Sequence, residues 1–150
     1  MCDYCGCRSE PEIAALSTDH QHMLTLTAGL RRAHEAGIPA PQLFAELTAM
    51  LEPHSRREER GLYAALAAEV TDPEYVAMFE HDHHELDALV MRADADQHIL
   101  QITDLLEGHI LREETDLFPA AHQMLGSQAW ATIAESVDGD APGSEHSPGR

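Results

Sequence analysis

The sequence predicts an all-α chain: an antiparallel, up-down-up-down four-helix bundle closed by a short C-terminal helix and followed by a disordered acidic tail. Three observations carry this expectation. Beyond residue 10, apolar residues recur at three- and four-residue steps, with no strand-like alternation. Helix start and stop signals divide the chain into four long segments. The connections between those segments are short, which favours antiparallel neighbours.

Each element has its own signal. Thr18, with Gln21 three residues later, reads as a capping box for a first helix that Gly37 closes. Ile38 to Pro41 is a rigid connector, and Pro41 suits the first position of a second helix running through Ala65 or beyond. Asp72 as N-cap and Pro73 behind it open a third helix. The polar stretch Asp94 to Gln97 separates it from a fourth, beginning near His98, which Pro119 is expected to break or kink. A fifth segment, Ser127 to Val137, carries Trp130 and Ile133 and lids one end of the bundle. From Asp138 onward Gly, Pro, Ser and acids dominate, the composition of a disordered tail. The organisation expected is a Cys-rich leader (1–10), a helical bundle (11–137) and a tail (138–150).

Composition narrows the function. At 150 residues and 43% hydrophobic, the chain is one domain with a real core. A formal charge of −18 repels phosphate backbones and anionic lipid, and 5% aromatics leave little to stack on bases. Nucleic acid and membrane surfaces are set aside as partners. No apolar run approaches the ~18 residues of a bilayer span, and no basic-then-apolar leader signals secretion. Cys2, Cys5 and Cys7 are an odd, clustered set, a poor disulfide framework, so the cytoplasm is the expected compartment. The unusual count is eleven histidines.

Phase decides which histidines matter. Two segments repeat: HSRREERGLY from His54 and HILREETDLF from His109, both reading H-x-x-R-E-E-x-x-L-aromatic. On the second helix the inward series runs Leu43, Leu47, Met50 or Leu51, His54, Glu58; on the fourth it runs Ile102, Leu105 or Leu106, His109, Glu113, Leu117. Residues at i and i+4 share a helix face, so each His–Glu pair can clasp one ion where leucines are expected. The first and third helices add Asp19-His20 and Asp82-His83, with His20 between Leu16 and Met23 and His83 between Phe79 and Leu86. His81, with Glu85, faces away from the apolar stripe, and His84 falls at its edge.

Four helices thus aim His20, His54, Glu58, His83, His109 and Glu113 at one place, with no Lys or Arg in the inward series. Two buried carboxylates without counter-charge cost several kcal/mol, and two divalent metal ions are the simplest compensation. Mixed nitrogen and carboxylate donors suit iron, zinc or manganese and disfavour calcium and copper(I). Two other readings are a hydrogen-bonded core without metal and a single zinc, although six ligands exceed a tetrahedral shell.

The order DHxxM, HxxxEExxLY, DHxxL, HxxxEExxLFP resembles the hemerythrin-like, HHE cation-binding domains over about residues 11–135. That resemblance implies an antiparallel four-helix bundle holding an oxo- or hydroxo-bridged pair of iron ions. Glu58 and Glu113 match the family's bridging carboxylates; His20, His54, His83 and His109 match its terminal ligands. The oxygen carriers of the family have a further histidine one turn before the third-helix ligand, where this chain has Phe79. A more open site points away from reversible carriage and towards redox turnover of oxygen-derived molecules, peroxide disproportionation in particular. The alternative is a binding protein that senses iron, oxygen or nitric oxide without turnover. Glu80 with His84, or Tyr63, are the candidates to replace the missing histidine. Cys2, Cys5 and Cys7 form overlapping CxxC and CxC motifs, which suit zinc with His22 or His122, a redox pair, or simply a reduced leader.

Overall fold

A computed structural model describes residues 6–139, and among these every regular element is helical. A single 3₁₀ turn (Cys7–Ser9) leads into α1 (Pro11–Glu35). Next come α2 (Pro41–Glu58), a π-helical turn (Glu59–Tyr63) and α3 (Ala64–Glu69), one continuous helical run. Then follow α4 (Pro73–Val90), a 3₁₀ turn (Ala95–His98) and α5 (Ile99–Arg112). A second π turn (Glu113–Leu117) joins α5 to α6 (Phe118–Met124), and α7 (Ser127–Asp138) ends the described chain. No helix among the described residues is long and apolar enough to cross a membrane. Cys2, Cys5 and all of the tail from residue 140 lie outside the described residues.

The boundaries follow local chemistry. Pro41 and Pro73 stand in the first turns of α2 and α4, where a missing N–H costs nothing. The Asp72 carboxylate accepts from the Glu74 N–H at 3.0 Å. Gly37, at φ +66°, turns the chain out of α1 in the left-handed conformation that favours glycine.

Two expectations need correction. The first helix begins at Pro11, seven residues before the Thr18 capping box, because Ile13 and Leu16 are already fully buried on its inner face. Thr18 instead donates its hydroxyl to the Ala14 carbonyl within the helix. Pro119 neither breaks nor ends the fourth long helix, which continues to Met124. The π turn just before it already disrupts the regular hydrogen-bond ladder where the proline lacks its N–H.

α1 packs against α2 and α5, and α4 against α5 and α2. The core is in two parts. One apolar cluster contains Leu16, Leu62, Phe79 and Leu117; the other contains Met23, Leu51, Leu86 and Leu106. Every site histidine lies, along its own helical run, between a residue of one cluster and a residue of the other. The polar layer is therefore sandwiched between two apolar ones.

Candidate metal centre

The buried layer brings together His20 from α1, His54 and Glu58 from α2, His83 from α4, His109 from α5, and Glu113 at the start of the second π turn. They form two groups, His20–His54–Glu58–Glu113 and Glu58–His83–His109–Glu113, each with ligand atoms within 4.8 Å of one another. Both glutamates belong to both groups. Glu58 turns Oε1 to His54 Nε2 at 2.7 Å and Oε2 to His83 Nε2 at 3.1 Å. Glu113 Oε2 lies 3.1 Å from His20 Nε2 and 3.4 Å from His109 Nε2.

The outer nitrogens of the four rings are all engaged. His20 Nδ1 meets Glu114 at 2.8 Å, and His83 Nδ1 meets Glu59 at 2.8 Å. His54 Nδ1 meets Asp19 at 3.1 Å, and His109 Nδ1 meets Asp82 at 3.1 Å. A carboxylate can only accept, so each ring donates its Nδ1–H outward and, when neutral, turns its Nε2 lone pair inward. Within each half the two Nε2 atoms are 3.1 Å (His20, His54) and 3.0 Å (His83, His109) apart. Both oxygens of Glu58 and Oε2 of Glu113 are buried and accept no hydrogen bond. Lone pairs converging in this way, beside carboxylate oxygens with no donor, are a donor set suited to metal cations. The residues fit metal.

Without metal, protons take that role. Burial alone would lower the histidine pKa values, but the carboxylates outweigh it. His20 is raised to about 11 by Glu113, Glu114 and Glu58; His54 to about 9 by Glu58 and Asp19; His109 to about 9 by Glu113 and Asp82. His83 is raised by Glu58 in the same way. Burial would raise the Glu58 carboxyl, yet the surrounding imidazoles hold it well below the usual range.

The hemerythrin HHE cation binding domain profile matches residues 12–121. The chain belongs to this family. Among curated proteins and solved structures nothing matches. Membership in the hemerythrin family implies metal binding, iron in the first place, and the buried His–Glu cluster fits such a site.

Other sequence candidates fall elsewhere. His84 and His81 are exposed, the latter 4.0 Å from Glu85. His22 pairs with Glu46 on the surface, whereas His122 lies at the N-terminal turn, 3.3 Å from Glu10. Cys7 is buried and disulfide-bonded, so its sulfur offers no thiolate for zinc. Phe79 and His109 meet edge to face, ring centres 6.0 Å apart. Tyr63, one of the candidates to replace the missing histidine, does reach the cluster: its hydroxyl donates to Glu113 Oε1 and lies 3.4 Å from His83 Nε2. Sequence reasoning missed the four outer carboxylates. Two precede a histidine of the cluster and two follow one of its glutamates, but each serves a histidine on a different helix.

Proposed function

We propose that this hemerythrin-family chain holds two iron ions, His20 and His54 binding one, His83 and His109 the other, with Glu58 and Glu113 shared between them. The observation that carries this reading is the sharing itself: each glutamate stands within ligand distance of both histidine pairs. The ligand helices are read as an antiparallel up-down-up-down bundle. Support comes from the alternating order in which α1, α2, α4 and α5 cross the two apolar clusters. The leader (1–10), bundle (11–137) and tail (138–150) remain the proposed organisation.

The function proposed is redox reaction with oxygen-derived small molecules, with disproportionation of two hydrogen peroxide molecules to oxygen and two waters as the first candidate. Paired iron supplies two one-electron changes side by side, matching that two-electron chemistry. The protein's residues do the rest. Asp19, Asp82, Glu59 and Glu114 hold the imidazoles in one tautomer. Met23, Leu51, Leu86 and Leu106 wall the histidines from solvent. A cavity of about 10 Å³ between those walls and the rings admits something near the size of a water molecule. Large organic substrates do not fit.

Iron content and the visible spectrum of the purified chain test the centre, and oxygen release from peroxide tests the reaction. Two irons per chain with sustained oxygen release support the whole reading. Two irons without turnover leave the binding or sensing protein in its place, and no iron removes both.

A further inference from the structure

We propose that Arg8, four residues before the family match begins, is a positioning residue for the metal centre: it holds Glu114 against His20 and so strengthens binding of one ion of the pair. This inference rests on the two-ion reading above. The N-terminal turn packs on the bundle. Gly6 bends at φ +70°, and Cys7 is buried in the apolar cluster that contains Phe118 and Leu125. This anchors the backbone beside Arg8, whose Nη2 reaches Glu114 Oε2 at 3.4 Å. The other oxygen of Glu114 takes the His20 Nδ1–H at 2.8 Å, and His20 Nε2 faces Glu113 at 3.1 Å. A line of contacts therefore runs from the N-terminal turn to the ligand set.

The counterpart in the other half shows why a cation is needed here. Glu59, which serves His83, leaves 35% of its side chain open to water, whereas Glu114 leaves only 9%. Water can solvate the charge on Glu59; a carboxylate as enclosed as Glu114 depends on a protein cation. Holding that carboxylate in place fixes the ring of His20 and raises its donor strength, as carboxylate partners of ligating histidines do. The effect is confined to the His20–His54 side.

The test is stepwise anaerobic titration of the metal-free full chain with iron(II) against a chromogenic chelator, comparing wild type with Arg8→Gln, Arg8→Lys, Glu114→Gln and the Arg8→Gln/Glu114→Gln double variant. Arg8→Gln is expected to weaken one of the two ions about 10-fold, the lower end of the effect of such outer groups, and to leave the other unchanged. Arg8→Lys restores most of the loss. In the Glu114→Gln background Arg8→Gln has no further effect, since the two act along one line. Far-ultraviolet circular dichroism checks folding, and Arg8→Met, which keeps the apolar stem, substitutes if Arg8→Gln loses helicity. Unchanged affinities, equal weakening of both ions, or additive effects of Arg8 and Glu114 overturn the proposal. A wild-type chain that takes up fewer than two ions overturns the two-ion reading, and this proposal with it.

Discussion

The two halves of the candidate centre have the same inward residue types and different surroundings. In each, an Asp-His on one helix is followed by His-x-x-x-Glu-Glu on the next, and the outer carboxylates cross between helices in the same pattern. Even the stacking repeats: Phe118 lies on His20 with ring centres 5.5 Å apart, and Tyr63 lies on His83 at 5.4 Å. The differences begin one layer out. Tyr63 brings a hydroxyl to Glu113, whereas Phe118 brings none. Glu114 is buried beneath a part-exposed Arg8, whereas about a third of Glu59 is open to water. Gly61 sits under α7, whereas its counterpart Asp116 is exposed. On the proposed two-ion reading, like donors with unlike tuning give the two ions different reactivity.

The largest expected effect breaks the sharing. Glu58→Gln or Glu113→Gln should each remove both ions, because either carboxylate belongs to both groups. His54→Ala or His109→Ala should weaken mainly the ion on its own side. Metal content per chain after dialysis separates these outcomes, and retention of one full ion by Glu58→Gln would end the shared-carboxylate reading.

That asymmetry between halves also marks where the sequence stops being informative. The buried cluster is legible in the sequence because each member stands where a leucine is expected in a regular apolar stripe, and a period of 3.6 residues picks it out. Asp19, Glu59, Asp82 and Glu114 are not, because on their own helices they flank that stripe and read as solvated; only the packing of neighbouring helices gives them a histidine. The start of α1 lies outside the reach of a capping pattern because Thr18 can bond back to a carbonyl inside a helix as readily as cap one. The π turns are invisible to a fixed period: continued beyond Glu58, a regular helical phase points Ala65 inward, whereas the structure buries Leu66 and leaves Ala65 part-exposed. Arg8 lies before the periodic region altogether.

Next in size is an opposition between protons and metal. In the metal-free chain the folded pKa values of His54 and His109 are raised from 6.5 to about 9, and that of His20 to about 11. Stability from these raised groups is fully present below the unfolded value and is lost as pH rises through the folded values. Glu58 and Glu113 are lowered, so their share is present above about 4.5 and is lost in acid. The metal-free protein should therefore become less stable from about pH 6.5 to 9, while metal affinity rises over the same interval as the imidazoles give up protons. Thermal midpoints with and without iron should move in opposite directions across it. A midpoint for the metal-free chain that does not fall would show that the histidines are already neutral.

Exchanging the two aromatics sharpens the comparison at a smaller scale. Tyr63→Phe makes the halves alike and deletes a buried hydrogen bond to a carboxylate, costing the metal-free chain about 1.5–3 kcal/mol. Phe118→Tyr adds a hydroxyl to a fully buried ring position and should cost about 1–3 kcal/mol through overpacking. Urea denaturation measures both. If Tyr63→Phe proves neutral, the hydroxyl contributes nothing to the metal-free fold and the halves are more alike than their contacts indicate.

The smallest effect concerns two glycines. Gly108, beside His109, is exposed in α5, and a Cβ built there meets nothing within 4 Å. Gly108→Ala should therefore stabilise by about 0.5–1 kcal/mol, the ordinary helix-propensity gain. Gly61, in the π turn below Tyr63, has no such freedom: its Cβ would lie 3.3 Å from both Ile133 Cγ2 and Ser136 Oγ on α7. Gly61→Ala obliges the Ile133 and Ser136 side chains to give by a few tenths of an ångström, so it should stabilise less than Gly108→Ala. Thermal denaturation of the two variants side by side isolates the contact with α7, since the chemical change is the same. Equal stabilisation would mean that α7 yields freely and does not hold the Tyr63 side of the centre in place.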